Sequence, residues 1–148
     1  MGISILKRKA LQTIQPELIL PSDAGNRIKL ARLAKEMTAR EVSEFVGISE
    51  TALFYIEGKK IMPSLSTLKC LSELFNLPVS YLGCFESLPE ETLGQRIKKA
   101  RMYQGLRVAE FAKLLGVDQK TINNWENDRR KPLSKHMKEI KKFVDTSL

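Results

Sequence analysis

Two stretches of the sequence decide the fold: GVDQKTINNWE at residues 116–126 and GISETALFYIE at residues 47–57. Each begins with a glycine, which suits the left-handed backbone that often ends a helix. Two residues later comes Asp118 or Ser49, and short polar side chains of this kind cap the first turn of a new helix. Apolar residues then follow at helical spacing up to a closing glutamate. The pattern therefore predicts, in each stretch, a tight turn followed by a short helix.

The two stretches belong to a longer internal repeat. They lie 69 residues apart, and at that offset the identities continue without a gap. The matching pairs are Gly25 with Gly94, Arg27 with Arg96, Ile28 with Ile97, Lys29 with Lys98, Ala31 with Ala100, Arg32 with Arg101, Glu41 with Glu110, Gly47 with Gly116, Glu57 with Glu126 and Pro63 with Pro132. Such a repeat indicates two copies of one folding unit. We predict a first domain at residues 23–82 and a second at 90–148, joined by a linker at 83–89 and preceded by an N-terminal arm at 1–22.

Both copies are predicted to be all-α. Apolar residues recur with the period of a helix, and the sustained alternation typical of a strand does not occur. The predicted helices of the first copy span residues 23–35, 38–47, 49–57, 65–75 and 79–82. Those of the second span 90–104, 107–116 and 118–126, followed by a last helix with Leu133, Met137, Ile140 and Val144 on one apolar face. Each domain therefore consists of four to five short helices.

Composition limits the possible functions. Of the 148 residues, 25 are Lys or Arg and 17 are Asp or Glu, and the net charge of +8 favours a polyanionic partner. Two cysteines cannot form a disulfide framework, no Cys-x-x-Cys pair predicts a zinc site, and no apolar run is long enough to span a membrane. The sequence also lacks a phosphate-binding glycine loop, a metal-ligand cluster and a histidine beside a nucleophile. We therefore expect a cytoplasmic protein without enzymatic activity, cofactor, metal or membrane contact.

The helices around each turn glycine meet the steric requirements of a helix-turn-helix. Small Ala112 lies where the two helices cross, and Gly116 occupies the turn. Both copies resemble the helix-turn-helix domain of the phage-repressor and Cro type, also called XRE-like: residues 94–101 are similar to its first helix, and residues 116–126 to its turn and recognition helix. The resemblance implies a lambda-repressor-like fold that binds operator DNA, commonly as a dimer. It also implies that an arginine of the first helix pairs with the glutamate closing the third, and two candidate pairs share a spacing of 25 residues: Arg32–Glu57 and Arg101–Glu126.

The recognition helix of the second copy carries side chains suited to DNA. The predicted base contacts are Gln119, Lys120, Thr121, Asn123 and Asn124, and the resemblance places Gln119, Lys120 and Asn124 at base-contacting positions. Amide side chains pair with adenine and lysine donates to guanine in the major groove. The predicted phosphate contacts, which hold the domain without discriminating between sequences, are Arg107, Arg129, Arg130 and Lys131.

The first copy differs at the equivalent positions, which are Glu50, Thr51, Ala52, Phe54 and Tyr55. Two interpretations are open. In one, Ala52 and Phe54 contact thymine methyl groups and Tyr55 binds a phosphate. In the other, this helix packs on a protein partner, including a second copy of the chain as a homodimer.

The sequence thus predicts a sequence-specific, repressor-like transcription regulator that binds double-stranded DNA, with the second domain contacting the bases. One alternative is an antitoxin or adaptor that binds another protein through the Phe54–Tyr55 surface and binds DNA secondarily. Another is nonspecific nucleic-acid binding through charge alone. Three further side chains have structural interpretations: Trp125 is expected in the core, His136 in solvent, and Cys84 as a reduced thiol, with redox sensing by an exposed Cys84 as the alternative.

Overall fold

The computed structural model describes residues 23–148, and the predicted N-terminal arm lies outside the described residues. Within that range all regular secondary structure is helical, as predicted. The first copy contains α1 (Ala24–Ala34), α2 (Ala39–Val46), α3 (Glu50–Glu57), α4 (Leu65–Phe75) and α5 (Val79–Leu82). The second contains α6 (Leu93–Tyr103), α7 (Val108–Leu115), α8 (Gln119–Glu126) and α9 (Ser134–Ser147), and a 3-10 helix at Phe85–Ser87 lies between the copies.

Both predicted turns form as the sequence indicates. Gly47 and Gly116, which end α2 and α7, have φ values of +80° and +68°. The side chains of Ser49 and Asp118 each accept a hydrogen bond from the backbone amide three residues further on, at 3.0 and 2.7 Å. These bonds satisfy amides that the first turn of a helix leaves without an intrahelical partner. The predicted helix-turn-helix geometry is therefore present in both copies.

The first helix of the second copy begins later than predicted. A start near Glu90 is wrong, because α6 begins at Leu93. Thr92 and Gln95 form a capping box: the Thr92 hydroxyl accepts from the Gln95 amide, and the Gln95 side-chain oxygen accepts from the Thr92 amide, both at 3.1 Å. This reciprocal pair fixes the point at which the chain enters the helix.

Each copy has its own hydrophobic core. The first is centred on fully buried side chains from α1 to α5: Ile28, Val42, Leu53, Leu68, Leu71 and Leu82. The second is centred on buried side chains from α6 to α9: Ile97, Ala100, Phe111, Ile122, Trp125 and Ile140. The predicted core position of Trp125 is confirmed, since this residue is 4% exposed. Because α8 contacts both α6 and α7, the core fixes the orientation of the predicted recognition helix.

Two predictions about the last helix are wrong. Leu133 does not share the apolar face formed by Ile140 and Val144; it is 66% exposed, because it is the N-cap residue and precedes the first turn of α9. His136 does not face solvent. It is half-buried, and its ring centroid lies 5.5 Å from a ring centroid of Trp125, so the imidazole packs over the edge of the second core.

The predicted linker packs between the two copies. Phe85 is 1% exposed and belongs to the first core, on which Tyr103 of α6 also packs. Cys84 is 7% exposed and burial raises the pKa of its thiol, so the alternative of an exposed, redox-sensing Cys84 is wrong. The ammonium group of Lys99 in α6 donates to the carbonyl of Glu86 at 3.2 Å. The copies thus contact each other through this segment. The predicted domain boundaries at residues 23–82 and 90–148 stay a prediction.

Candidate nucleic-acid interface

The inner face of α8 holds this helix firmly against its own domain. Ile122 and Trp125 on that face are 0% and 4% exposed. Ala112 of α7 is also buried, and its carbonyl accepts a hydrogen bond of 3.0 Å from the amide of Val117, just after the turn. A small side chain at this point lets the two short helices cross closely. The outer face of α8 therefore projects from a rigid base.

A buried ion pair ties the end of α8 to α6. Arg101 Nε donates to Glu126 Oε1 at 2.5 Å and Arg101 Nη2 to Glu126 Oε2 at 3.2 Å, while Nη1 donates to the carbonyl of Leu106 at 2.7 Å. The same pair forms in the first copy between Arg32 and Glu57, at 2.7 and 3.1 Å. Both predicted pairs are confirmed. Because each is bidentate, it fixes direction as well as distance between the first and third helices of its copy.

The first and third helices of each copy also approach backbone to backbone. A Cβ atom on Gly94 would lie 2.4 Å from the carbonyl oxygen of Trp125, and one on Gly25 would lie 2.5 Å from that of Ile56. No side chain fits at such distances. The repeat aligns the two glycines, but only the packing explains why each copy has one there.

The outer face of α8 brings together the five predicted base-contacting residues. Gln119, Lys120 and Asn123 are exposed, whereas Thr121 and Asn124 are half-buried. All five belong to one helix of eight residues, so they lie within two helical turns of each other. This face carries hydrogen-bond donors and acceptors of the kinds that discriminate base pairs in the major groove.

Thr121 has a second role at the N-terminus of α8. Its hydroxyl and its amide both donate to Asp118 Oδ1, at 2.7 Å. The hydrogen bond from the hydroxyl, followed by that from the amide, lowers the pKa of the Asp118 carboxyl. The Thr121 hydroxyl is thus engaged within the cap, whereas the side chains of Gln119, Lys120 and Asn123 are exposed.

Basic side chains are exposed before α7 and after α8. Arg129, Arg130 and Lys131 are exposed in the segment that follows α8. Arg107 precedes α7 with a side chain that is 63% exposed, and its Nε donates to Glu110 Oε1 at 3.0 Å. The Arg107 amide donates to the same carboxylate, and these bonds lower the pKa of Glu110. All four predicted phosphate-binding residues therefore lie at the surface of the second copy.

Asp128 is a residue of this region that the sequence analysis missed. It follows α8, has a φ of +57°, and accepts hydrogen bonds from the Gly94 amide at 2.9 Å and the Thr92 hydroxyl at 2.5 Å. The equivalent residue of the first copy, Lys59, has a φ of +65° and pairs with Asp23 at 3.1 Å. In both copies the segment after the third helix is thus anchored to the start of the first helix. The anchoring residue is acidic in the second copy, Asp128, and basic in the first, Lys59. The repeat alignment already pairs these positions and is the signal that could have found them.

The predicted positions of the first copy lie on the outer face of α3. Glu50 and Thr51 are exposed and Ala52 is half-buried. Phe54 and Tyr55 are 54% and 44% exposed, although both are large and apolar. The structure therefore places these five side chains together, on a surface whose chemistry differs from that of α8.

Two more exposed apolar residues follow α3 and were missed by the sequence analysis. Ile61 is 46% exposed and Met62 is 65% exposed. The offset of 69 residues aligns them with Arg130 and Lys131, the predicted phosphate contacts of the second copy. Extending the repeat comparison beyond the helix would have found them.

Residues 23–148 lack the features of two other classes of site. That range contains no cluster of His, Cys, Asp and Glu side chains that could hold a metal ion. None of its helices is both long enough and apolar enough to cross a membrane.

The two α-helical units, each with a glycine turn and a third helix held by a buried ion pair, define a tandem helix-turn-helix protein. A family model described as helix-turn-helix matches residues 28–82 and 97–148. The chain belongs to this family, with two domains of the phage-repressor, XRE-like kind. Members are DNA-binding regulators, so the protein is a DNA-binding regulator of the repressor kind. Comparisons with curated proteins and with solved structures found no match.

Proposed function

We propose that the protein is a repressor-like transcription regulator that binds specific sequences of double-stranded DNA through its second domain. The observation that carries the proposal is the outer face of α8, where exposed Gln119, Lys120 and Asn123 project from a helix whose opposite face is buried. Sequence discrimination needs donors and acceptors held in a fixed geometry against the base edges. The buried Ile122 and Trp125 supply that rigidity.

The basic residues around α8 support a division between base and phosphate contacts. Arg129, Arg130 and Lys131 extend from a segment that Asp128 anchors to the N-terminus of α6. Contacts of this kind raise affinity for every sequence and set the register of the domain on the duplex. Specificity is then left to the side chains of α8.

The test is selection of binding sites from a randomised DNA pool at about 150 mM salt, a concentration at which purely ionic binding is weakened. Wild-type protein is compared with Gln119→Ala/Lys120→Ala/Asn124→Ala. The matched control, Glu50→Ala/Thr51→Ala/Tyr55→Ala, changes the equivalent positions of the first copy. We expect a defined motif for wild type, at least the same half-site for the control, and loss of every motif for the second-copy variant.

Other outcomes would contradict the proposal. Equal, weak recovery of all sequences by all three proteins would indicate nonspecific binding through charge. A motif that survives in the second-copy variant and disappears in the control would assign base contact to α3. In a companion measurement, Arg130→Gln should weaken binding to all sequences alike and make the slope of log K against log salt shallower by about 0.9, the value expected for one lost phosphate contact.

A second candidate function is supported by the exposed apolar residues of the first copy. An antitoxin or adaptor would use the Phe54–Tyr55 surface to bind another protein, with DNA binding as a secondary property. It predicts a stoichiometric complex with that protein and only weak, salt-sensitive binding to DNA. The selection experiment separates the two candidates, because a defined motif at about 150 mM salt is not expected for a secondary ionic contact.

A further inference from the structure

We propose that the outer surface around α3 is a homodimer interface, on which a second copy of this chain packs its own α3 in the antiparallel direction. This surface, called the α3 face below, consists of Glu50, Thr51, Phe54, Tyr55, Lys60, Ile61 and Met62. The inference deepens and partly rests on the proposed function, since the dimer would present two second-copy domains to one DNA site. The dimer itself can be measured without DNA.

The outer faces of α3 and α8 differ position by position. At the offset of 69 residues, five polar or basic residues of the second copy are replaced in the first by apolar, aromatic or acidic residues. The replacements are Gln119 by Glu50, Asn123 by Phe54, Asn124 by Tyr55, Arg130 by Ile61 and Lys131 by Met62. Two cations that could bind phosphates, Arg130 and Lys131, are lost here, whereas Arg129 is matched by Lys60. Exposed apolar residues that lie together are typical of a protein-binding surface.

The backbone brings the segment that carries Ile61 close to the last turn of α3, which carries Tyr55. The amides of Lys60 and Ile61 both donate to the carbonyl of Tyr55, at 2.8 and 3.3 Å. These bonds hold the backbone of Lys60 and Ile61 against the last turn of α3. The Lys60 ammonium lies 5.4 Å from the centroid of the Tyr55 ring. The α3 face therefore has a cation beside the Tyr55 ring.

The charges on the α3 face are self-complementary, which favours a second copy of this chain as the partner. Glu50 lies at the N-terminal end of α3, Lys60 follows its C-terminal end, and Tyr55 is midway between them in sequence. A twofold axis near Tyr55 would bring Glu50 of each copy opposite Lys60 of the other, which is the isologous pairing of a C2 dimer. Lys59 already pairs with Asp23, so Lys60 is the cation assigned to this contact.

The exposed area of the apolar side chains indicates how large the dimer interface can be. Phe54, Tyr55, Ile61 and Met62 are between 44% and 65% exposed. At about 200 Å² for each large side chain, about half of it exposed, they contribute about 400 Å² per copy and about 800 Å² in total. Stable interfaces bury about 1,200 Å² or more, so we expect a weak, reversible dimer. Binding of both second-copy domains to one DNA would strengthen it through effective concentration.

The experiment is sedimentation velocity of the full chain without DNA, at about 150 mM salt and from about 1 to about 200 μM protein, a range that spans micromolar dissociation constants. Wild type should shift from monomer to dimer across this range. Phe54→Asn/Tyr55→Asn installs the residues of the second copy at exposed positions and should raise the dissociation constant by about tenfold or more, as the loss of central aromatic residues does. The matched control, Leu114→Asn, removes a side chain that is 65% exposed in the second copy and should leave the dissociation constant unchanged.

Charge reversal tests the antiparallel arrangement itself. Glu50→Lys and Lys60→Glu should each weaken the dimer, because each places like charges opposite one another. The double variant Glu50→Lys/Lys60→Glu restores opposite charges across the interface and should recover a dissociation constant near that of wild type. Circular dichroism of each variant checks that the helical content is retained.

Several results would overturn the proposal. One is a chain that stays monomeric at every concentration. Another is a dimer whose dissociation constant does not change in Phe54→Asn/Tyr55→Asn. A third is a double variant Glu50→Lys/Lys60→Glu that does not recover the dissociation constant of wild type. A monomer that binds a different protein through the α3 face, or whose DNA motif changes in the Phe54→Asn/Tyr55→Asn variant, would assign the face to that partner instead. A monomer that still selects a motif contradicts only the dimer, whereas a dimer without a motif contradicts only the proposed function.

Discussion

Replacing Glu126 with glutamine is expected to destabilise the second domain by about 3 kcal/mol. Both carboxylate oxygens of Glu126 accept hydrogen bonds from Arg101, at 2.5 and 3.2 Å, and the two residues are 8% and 7% exposed. Glutamine keeps one oxygen in this place but turns an amide N–H group toward the second guanidinium N–H. The buried charge of Arg101 then has no counter-ion.

The magnitude follows from the contacts that remain. Breaking a buried ion pair by removing one partner costs about 3–5 kcal/mol. The lower end applies here, because Arg101 keeps one bond to the glutamine oxygen and another, at 2.7 Å, to the carbonyl of Leu106. A small domain has an m-value of about 1 kcal/mol per molar urea, so the unfolding midpoint should fall by about 3 M.

Fluorescence of Trp125 during urea unfolding is a suitable assay. Trp125 is the one tryptophan of the chain, is buried in the second core and directly precedes Glu126. Glu57→Gln breaks the matching pair of the first copy and should shift the Trp125 transition far less than Glu126→Gln does. Glu44→Gln breaks an exposed pair with Arg40 and should change stability by less than about 0.5 kcal/mol.

A double variant tests the physical reason for the loss. In Arg101→Met/Glu126→Met both charges are removed, and apolar side chains of similar length can replace a buried ion pair with little loss of stability. We expect this variant to be more stable than Glu126→Gln. Unfolding of Glu126→Gln within about 0.5 kcal/mol of wild type, which is the range of an exposed pair, would contradict the expected loss. So would a double variant whose loss equals the sum of the losses of Arg101→Met and Glu126→Met.

Two further predictions concern the backbone contact of α6 and the cap of α8. Gly94→Ala should lower the urea midpoint reported by Trp125, because its Cβ would lie 2.4 Å from the Trp125 carbonyl oxygen. Gly25→Ala should instead lower the urea midpoint of the first copy, which is followed by circular dichroism. The Asp118 cap should depend on pH. Since the pKa of Asp118 is lower in the folded protein than its ordinary value, the stabilisation is complete above about pH 5 and is lost as the pH falls through the folded pKa, below about 3.9. The difference in unfolding free energy between wild type and Asp118→Ala should therefore shrink in acid, and a constant difference down to about pH 2 would contradict this assignment of the charged cap.

The features that could be predicted from the sequence are those with a local cause. Gly116 takes a left-handed conformation that few other residues adopt, and Asp118 caps the helix that begins one residue later. Each signal depends on a few neighbouring residues, and the repeat displays it twice. The Arg101–Glu126 pair came from the resemblance to a known family, because nothing local links residues 25 positions apart.

The features that were missed or wrong depend on contacts between distant segments. Phe85 and Cys84 lie outside the repeat and were assigned to a linker, yet both are buried because the first core extends to them and α6 packs alongside. Asp128 looks like an ordinary exposed loop residue until its contact with Gly94 is seen. Leu133 has the correct spacing for the apolar face of α9, but the helix starts one residue later. Periodicity cannot detect any of these, since it describes one element at a time.

The two copies act as internal controls for each other. Both use a left-handed glycine, a bidentate arginine–glutamate pair and a glycine at the contact of first and third helices, so α3 and α8 are restrained by the same interactions. A difference between their outer faces therefore does not arise from a difference in fold. At the positions where α8 and its following segment carry amides and cations, the first copy carries Phe54, Tyr55, Ile61 and Met62. Because function resides in the site and not in the fold, the two proposed roles, DNA binding by the second copy and dimer formation by the first, are compatible with one scaffold.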